Sequence, residues 1–201
     1  MRSWRAAIWL YLDRRILALF ILGFASGLPL LLVYSTLSFW LRQESVSLTE
    51  IGWFSLAGSA YGFKFLWAPL VDHIRIPILA ARLGQRRSWL LCAQVAVAAT
   101  IVALGATNPG EALTLTAFWA VALAFASATQ DIVVDALRIE MLEDEEQGSG
   151  AANFVNGYRV GTLAAGAGAL ILADAYGWFW AYAGWDMWAV SPVWWWLSMA
   201  L

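Results

Sequence analysis

Charge is what this sequence has least of. Only 13% of its 201 residues are Asp, Glu, Lys or Arg, against roughly a quarter in a soluble domain. With 62% hydrophobic residues and a mean hydropathy of +0.67, a water-soluble globular domain is excluded and an all-α integral membrane protein is expected. Cysteine is almost absent: Cys92 stands alone, so an intrachain disulfide is excluded and no thiolate metal site is suggested. His73 is the single histidine and falls in a loop, where it reads as a solvated side chain. No metal-ligand spacing, nucleophile beside a base, phosphate-cradling glycine loop or nucleic-acid-binding surface is present. An enzyme, a metal, a cofactor and a nucleic-acid partner are therefore not expected.

What is present is a series of long apolar runs. The first, residues 16–40, has 25 residues without a charge. A secretory signal has an apolar region of only about 7–15 residues, so this run predicts an uncleaved spanning helix, bent where Gly23, Gly27 and Pro29 interrupt it. Further spans are predicted near 51–71, 88–106, 112–137, 150–173 and 178–201, giving six transmembrane helices in one bundle. Lys and Arg counts in the flanking segments orient it. Arg2, Arg5, Arg14, Arg15, Arg75, Arg82, Arg86, Arg87 and Arg138 fall on one side and Arg42 on the other, which predicts both termini in the cytoplasm. The acidic run Glu143-Asp144-Glu145-Glu146 reads as a solvated loop on the inner side.

Within those runs a few charges stand out because lipid makes them costly. Residues 112–130 contain none, and Asp131 and Asp135 then follow four residues apart on one helical face. Lys64 in the second run and Arg159 in the fifth complete a set of two acids and two bases. A rise of about 1.5 Å per residue puts Lys64, Asp131 and Arg159 roughly 10–14 Å from the cytoplasmic boundary, with Asp135 nearer the interface. Asp131 is either a proton- or substrate-handling group or half of a static pair with Arg159 or Lys64. Asp135 can reach Arg138 or the Arg86/Arg87 loop. Gln130 can bond between helices or touch solute. Small-residue ridges at spacing four, Gly23/Gly27, Gly58/Gly62 and Gly157/Gly161, predict close helix packing. Tyr34 and Trp40 read as interface or packing residues.

The strings GFASGLPLLL (residues 23–32), GWFSLAGSAYGFKFLWAPLVD (52–72), GQRRSWLL (84–91) and ATQDIVVDALRIEMLEDEEQGSGAA (128–152) resemble those of the AmpG muropeptide permeases. These are members of the major facilitator superfamily, and the acetyl-CoA transporters resemble them more distantly. The resemblance covers about residues 11–183 and implies the N-terminal six-helix half of the superfamily fold. It also implies proton-driven import of amino-sugar (anhydro-muramyl) peptides across the bacterial inner membrane. Asp131, Lys64, Arg159 and Gln130 are the candidates for coupling and solute contact. A carboxylate whose charge is disfavoured by burial can hold and release a proton as access alternates. The superfamily's loop signature appears as Asp72 and Gly84-Gln85-Arg86-Arg87, with a longer insert between, and makes Asp72, Arg86, Arg87 and Asp135 candidates for a conformational latch.

Two departures are evident. The superfamily builds its path between two halves, so this chain supplies one wall, and a second six-helix half is the expected partner besides the bilayer. The match fades after residue 183, and the Trp-dense stretch 184–201 reads as an aberrant or frame-shifted tail. The competing readings are a non-transporting membrane fragment or interaction protein, and an acetyl-CoA-type transporter.

Overall fold

In the computed structural model, residues 13–185 are described, and the ordered elements among them are helical. The first helix, α1, is continuous from Arg14 to Gln43. Asp13 starts it, its carboxylate accepting from the backbone N–H of Arg15 at 2.8 Å. Pro29 lies inside it and has no N–H to return to the preceding turn, and the helix widens to a π-turn over Leu32–Thr36. The widened turn is braced from outside: the buried Tyr182 hydroxyl donates to the Leu32 carbonyl at 3.0 Å.

The second apolar run does not form one rod. It starts with a capping box between Ser47 and Glu50 and then proceeds as α2 (Leu48–Phe54), α3 (Ser59–Phe63) and α4 (Ala68–His73). Turns of 3₁₀ helix interrupt it at Ser55–Gly58 and Lys64–Leu66. The Ser55 and Ser59 hydroxyls bond back to the carbonyls of Gly52 and Leu56, both at 2.6 Å. Such bonds compete with the α-helical pattern. A short helix, α5 (Pro77–Leu83), follows, and Gly84, at φ 81°, makes the corner into α6 (Gln85–Gly105). Helices α7 (Leu113–Met141) and α8 (Gln147–Tyr176) complete the set, and a further helix has begun by residues 178–185.

The expectation of six spanning helices is corrected in part. Among the described residues, three helices are long and apolar enough to cross a membrane: Arg14–Gln43, Gln85–Gly105 and Leu113–Met141. The second run fails because it is broken. The fifth is 30 residues long, but its glycines, Asn153, Asn156, Arg159 and Asp174 dilute its apolar character. Most of the sixth predicted span lies outside the described residues. The first twelve residues and most of the Trp-dense tail lie outside them.

Helices α1 and α8 make the closest and most extensive pairing. A Cβ on Gly23 would overlap the Phe154 carbonyl, and one on Gly27 the Tyr158 carbonyl. Reciprocally, Gly157 and Gly161 lie against the carbonyls of Phe20 and Phe24. Two ridges of small residues therefore mesh backbone to backbone, which lipid favours through packing contacts alone. Asn153 donates to the Ile16 carbonyl at 3.2 Å and Thr162 to that of Gly27 at 3.4 Å. Gly58 differs, for it accommodates the Tyr34 hydroxyl instead of a backbone, and Gly62 faces open space.

Helices α6 and α7 form the second pair, and α7 also packs on α1. Two apolar cores result. One gathers Leu28, Leu37, Leu41, Ile101, Leu104 and Leu123, the other Ile16, Leu19, Leu22, Val71, Leu90 and Val133. Along α1 the join falls at Ser26, and along α7 it falls at residues 127–131. A polar layer thus separates two apolar ones.

Replacing Gly157 by Leu is expected to destabilise the bundle by about 1–3 kcal/mol through overpacking, while Gly62→Ala is expected to be neutral or slightly stabilising. Thermal unfolding of the full chain in detergent checks both.

Candidate functional site

The polar layer is built from four segments. Helix α7 contributes Ser127, Gln130 and Asp131, which fall on adjoining faces because Ser127 and Asp131 are one turn apart. Helix α1 contributes Ser26 and, from its π-turn, Tyr34. The broken helix contributes Tyr61 and Lys64, and α8 contributes Tyr158. The Gln130 amide donates to Ser26 Oγ at 3.4 Å in the buried seam between α7 and α1. Asp131 lies beside the same Ser26 hydroxyl and has Lys64 and Asp135 as its charged neighbours. Its Oδ1 is buried with no hydrogen-bond partner among the described residues.

Hydroxyl groups surround that carboxylate. Tyr61 lies beside Ser127 and within electrostatic reach of Asp131, Tyr158 and Tyr34. Tyr158 in turn faces Asp131 and Tyr34. The Tyr61 and Ser127 hydroxyls are themselves buried without completed hydrogen bonds. Buried polar groups in native structures are nearly always satisfied, so three such atoms close together mark a place where a polar group can be received.

Lys64 is committed elsewhere. Its Nζ is 3.2 Å from Asp135 Oδ2, and Arg138 lies 3.9 Å from the other oxygen of that carboxylate. The Lys64 and Asp135 side chains are 33% and 43% exposed, so the pair adds little stability on its own. Lys64 sits in the 3₁₀ turn Lys64–Leu66. Trp67, just beyond, stacks on Phe125 at 4.5 Å and donates to Thr129 Oγ1 at 3.1 Å. These contacts hold the broken helix against α7.

Arg159 is not part of the cluster. It is exposed on α8, forms no ion pair among the described residues, and is not among the charged neighbours of Asp131. The geometry follows from the packing face: Gly157 and Gly161 point at α1, and a residue two beyond Gly157 lies about 200° round the helix. Neither of the static pairs considered for Asp131, with Arg159 or with Lys64, is formed.

A second group of charges ties the opposite ends of three helices. Asp72 at the end of α4 pairs with Arg86 at the start of α6, and the Arg86 Nε lies 2.9 Å from Glu140 on α7. Gln85 donates to the Asp72 and Val71 carbonyls, and the Trp89 indole donates to the Ile74 carbonyl at 2.7 Å. Asp72 and Arg86 thus meet, whereas Asp135 turns to Lys64 and Arg138. Arg87 is also engaged in a contact. In the acidic run, Glu146 reaches Arg15 at 3.9 Å. His73 is exposed, with Nδ1 2.7 Å from the Pro69 carbonyl oxygen.

Comparison with known proteins finds similarity to membrane transporters. The family model for acetyl-coenzyme A transporter 1 matches residues 15–113. The anhydromuropeptide permease of Escherichia coli K12 is 50% identical over 161 residues, which cover 80% of this chain and 32% of the permease. The chain is homologous to the AmpG permeases. A transporter named AmpG 4 in Rickettsia felis is 42% identical over 168 residues, 84% of this chain and 40% of that protein. AmpG 1 of Rickettsia conorii is 35% identical over 161 residues. The chain therefore spans about a third to two-fifths of the length of these permease relatives, which are transporters and not enzymes by name. With its apolar helices, this likeness makes it a multi-pass membrane protein.

Ser26, Tyr61, Ser127 and Tyr158 were not singled out by the sequence, and Tyr34 was read as packing. Ser127 carried a signal, since it precedes Asp131 by one turn. The tyrosines carried none, because hydropathy counts them with the apolar residues and they come from three separate segments. Trp40 is buried and stacked on Trp178 with centroids 5.3 Å apart.

Gly58→Ala is expected to displace the Tyr34 hydroxyl and destabilise the protein, and to do so much less in a Tyr34→Ala background. A double-mutant cycle of melting temperatures measures that coupling.

Proposed function

We propose that this chain forms one wall of a proton-coupled transporter that imports anhydro-muropeptides across the bacterial inner membrane. The supporting observation is Asp131, a carboxylate enclosed between two apolar cores with a buried oxygen free to bond, one helical turn from the Lys64–Asp135 pair. Such a group exchanges a proton when access alternates, and its bonding needs change as it does. The names of the homologues supply the substrate class. In this reading the chain is the N-terminal six-helix half of a major facilitator fold, with both termini in the cytoplasm. A second half completes the path.

Asp131 is the coupling residue in this proposal, with Gln130 and Lys64 on the same wall. Tyr34, Tyr61 and Tyr158 offer hydroxyls and ring faces to the amino-sugar portion of the solute. Arg159, on the outward face of α8, is placed to meet the second half or the solute's carboxylate. Asp72, Arg86 and Glu140 form the latch whose opening accompanies exchange of access. A coenzyme A solute fits the Asp131 cluster less well, because a diphosphate there calls for uncompensated cations. Lys64, the one cation beside Asp131, is already paired with Asp135.

Asp131→Asn in the assembled transporter is expected to abolish uptake driven by an imposed proton gradient, with membrane insertion unchanged. Tyr61→Phe is expected to lower uptake several-fold, the scale of one hydrogen bond, about 1 kcal/mol. Both are read as labelled anhydro-muropeptide entering vesicles that hold the chain with a six-helix C-terminal half. Wild-type coupling in Asp131→Asn removes that residue from the mechanism. Absence of uptake with any partner half supports the non-transporting reading.

A further inference from the structure

The loop between α4 and α6 holds charges and apolar side chains that neither the Asp131 cluster nor the latch uses. Its sequence over residues 74–83 is rich in both, with Ile74, Arg75, Ile76, Pro77, Ile78 and Arg82. Pro77 sits at the first position of α5 and presets its backbone. Gly84 alone separates α5 from α6, a helix apolar enough to span. The short helix is therefore held at the depth where α6 leaves the hydrocarbon layer.

At that depth its exposed surface is unusual. Ile78 is 78% exposed and Ile74 45%. Arg75 and Arg82 are also exposed and form no ion pair among the described residues. The nearest acid in sequence, Asp72, is taken by Arg86. Ile78 and Arg82 lie four residues apart on one helical face, so an apolar and a cationic group point the same way. A recess of about 340 Å³, lined by Arg75, Pro77, Ala80, Ala81 and Gln85, opens beside them.

We infer that residues 74–83 are a binding site for anionic phospholipid, with Ile74 and Ile78 entering the acyl boundary while Arg75 and Arg82 hold the headgroup phosphate. Interfacial helices bind this way, by apolar burial combined with attraction between basic side chains and anionic lipid. Guanidinium matches a phosphate with paired hydrogen bonds. A zwitterionic headgroup, whose ammonium repels the two arginines, is the weaker ligand. The site stands independently of the transport reading.

The test uses the full chain in nanodiscs of equal phosphatidylcholine and phosphatidylglycerol, with retained lipids counted by native mass spectrometry after gentle release. The wild-type chain is expected to retain phosphatidylglycerol several-fold over phosphatidylcholine, with the preference falling as salt rises. Arg75→Gln with Arg82→Gln removes the preference, and Arg42→Gln leaves it intact. Ile78→Ser lowers retention of both lipids with helix content unchanged. An unchanged preference in the double variant, or an equal loss in Arg42→Gln, overturns the proposal. Loss of the preference on adding millimolar inorganic phosphate assigns the arginines to a free anion and overturns it as well.

Discussion

Inside a bilayer, a polar group has only the protein to bond with, and the arrangement of this molecule follows from that constraint. Apolar cores sit above and below a single polar layer, and several groups at and near that level have a partner on another helix. Ser26 accepts from the Gln130 amide. Thr129 takes the Trp67 indole N–H. The Leu32 carbonyl, in the widened turn, receives the Tyr182 hydroxyl. By contrast, the free oxygen of Asp131 and the neighbouring Tyr61 and Ser127 hydroxyls are buried together without a hydrogen-bond partner among the described residues.

The layer exists because two pairings place it. The glycine ridges of α1 and α8 bring their backbones into contact, which sets Ser26 and Tyr158 at neighbouring levels. Helix α7 rests on α1 and carries Asp131 to the same level. The broken helix then delivers Tyr61 and Lys64 from separate turns, a placement that a straight rod would not allow. Its serine-bonded 3₁₀ turns are thus part of the site's geometry. The salt link of Asp72, Arg86 and Glu140 ties the broken helix and α7 to the start of α6.

Much of this could be read in the sequence, for identifiable reasons. Charge-free runs announced α1, α6 and α7, since nothing but lipid or a deep core demands so many apolar residues in succession. The spacing of Asp131 and Asp135 placed them on one face, and the ridges Gly23/Gly27 and Gly157/Gly161 announced tight packing. That the two ridges meet each other was not legible, because pairing depends on which helices become neighbours. The breaks at Ser55 and Lys64 were hidden in a run that is apolar overall. Arg159 was grouped with Asp131 by depth alone, and depth says nothing of direction; the glycines flanking it held the missing angle. The tyrosine cluster escaped because its members are assembled by tertiary contact.

In the proposed transporter, a carboxyl group held among hydroxyls inside apolar walls would be tolerated because it can take up and release a proton. Infrared difference spectra of the reconstituted protein, recorded across a pH titration in membranes, test this most directly. The account predicts a protonated-carboxyl band that appears and disappears within the titration and is missing from the Asp131→Asn protein. A spectrum in which no such band belongs to Asp131, so that the group never changes its protonation, would contradict it.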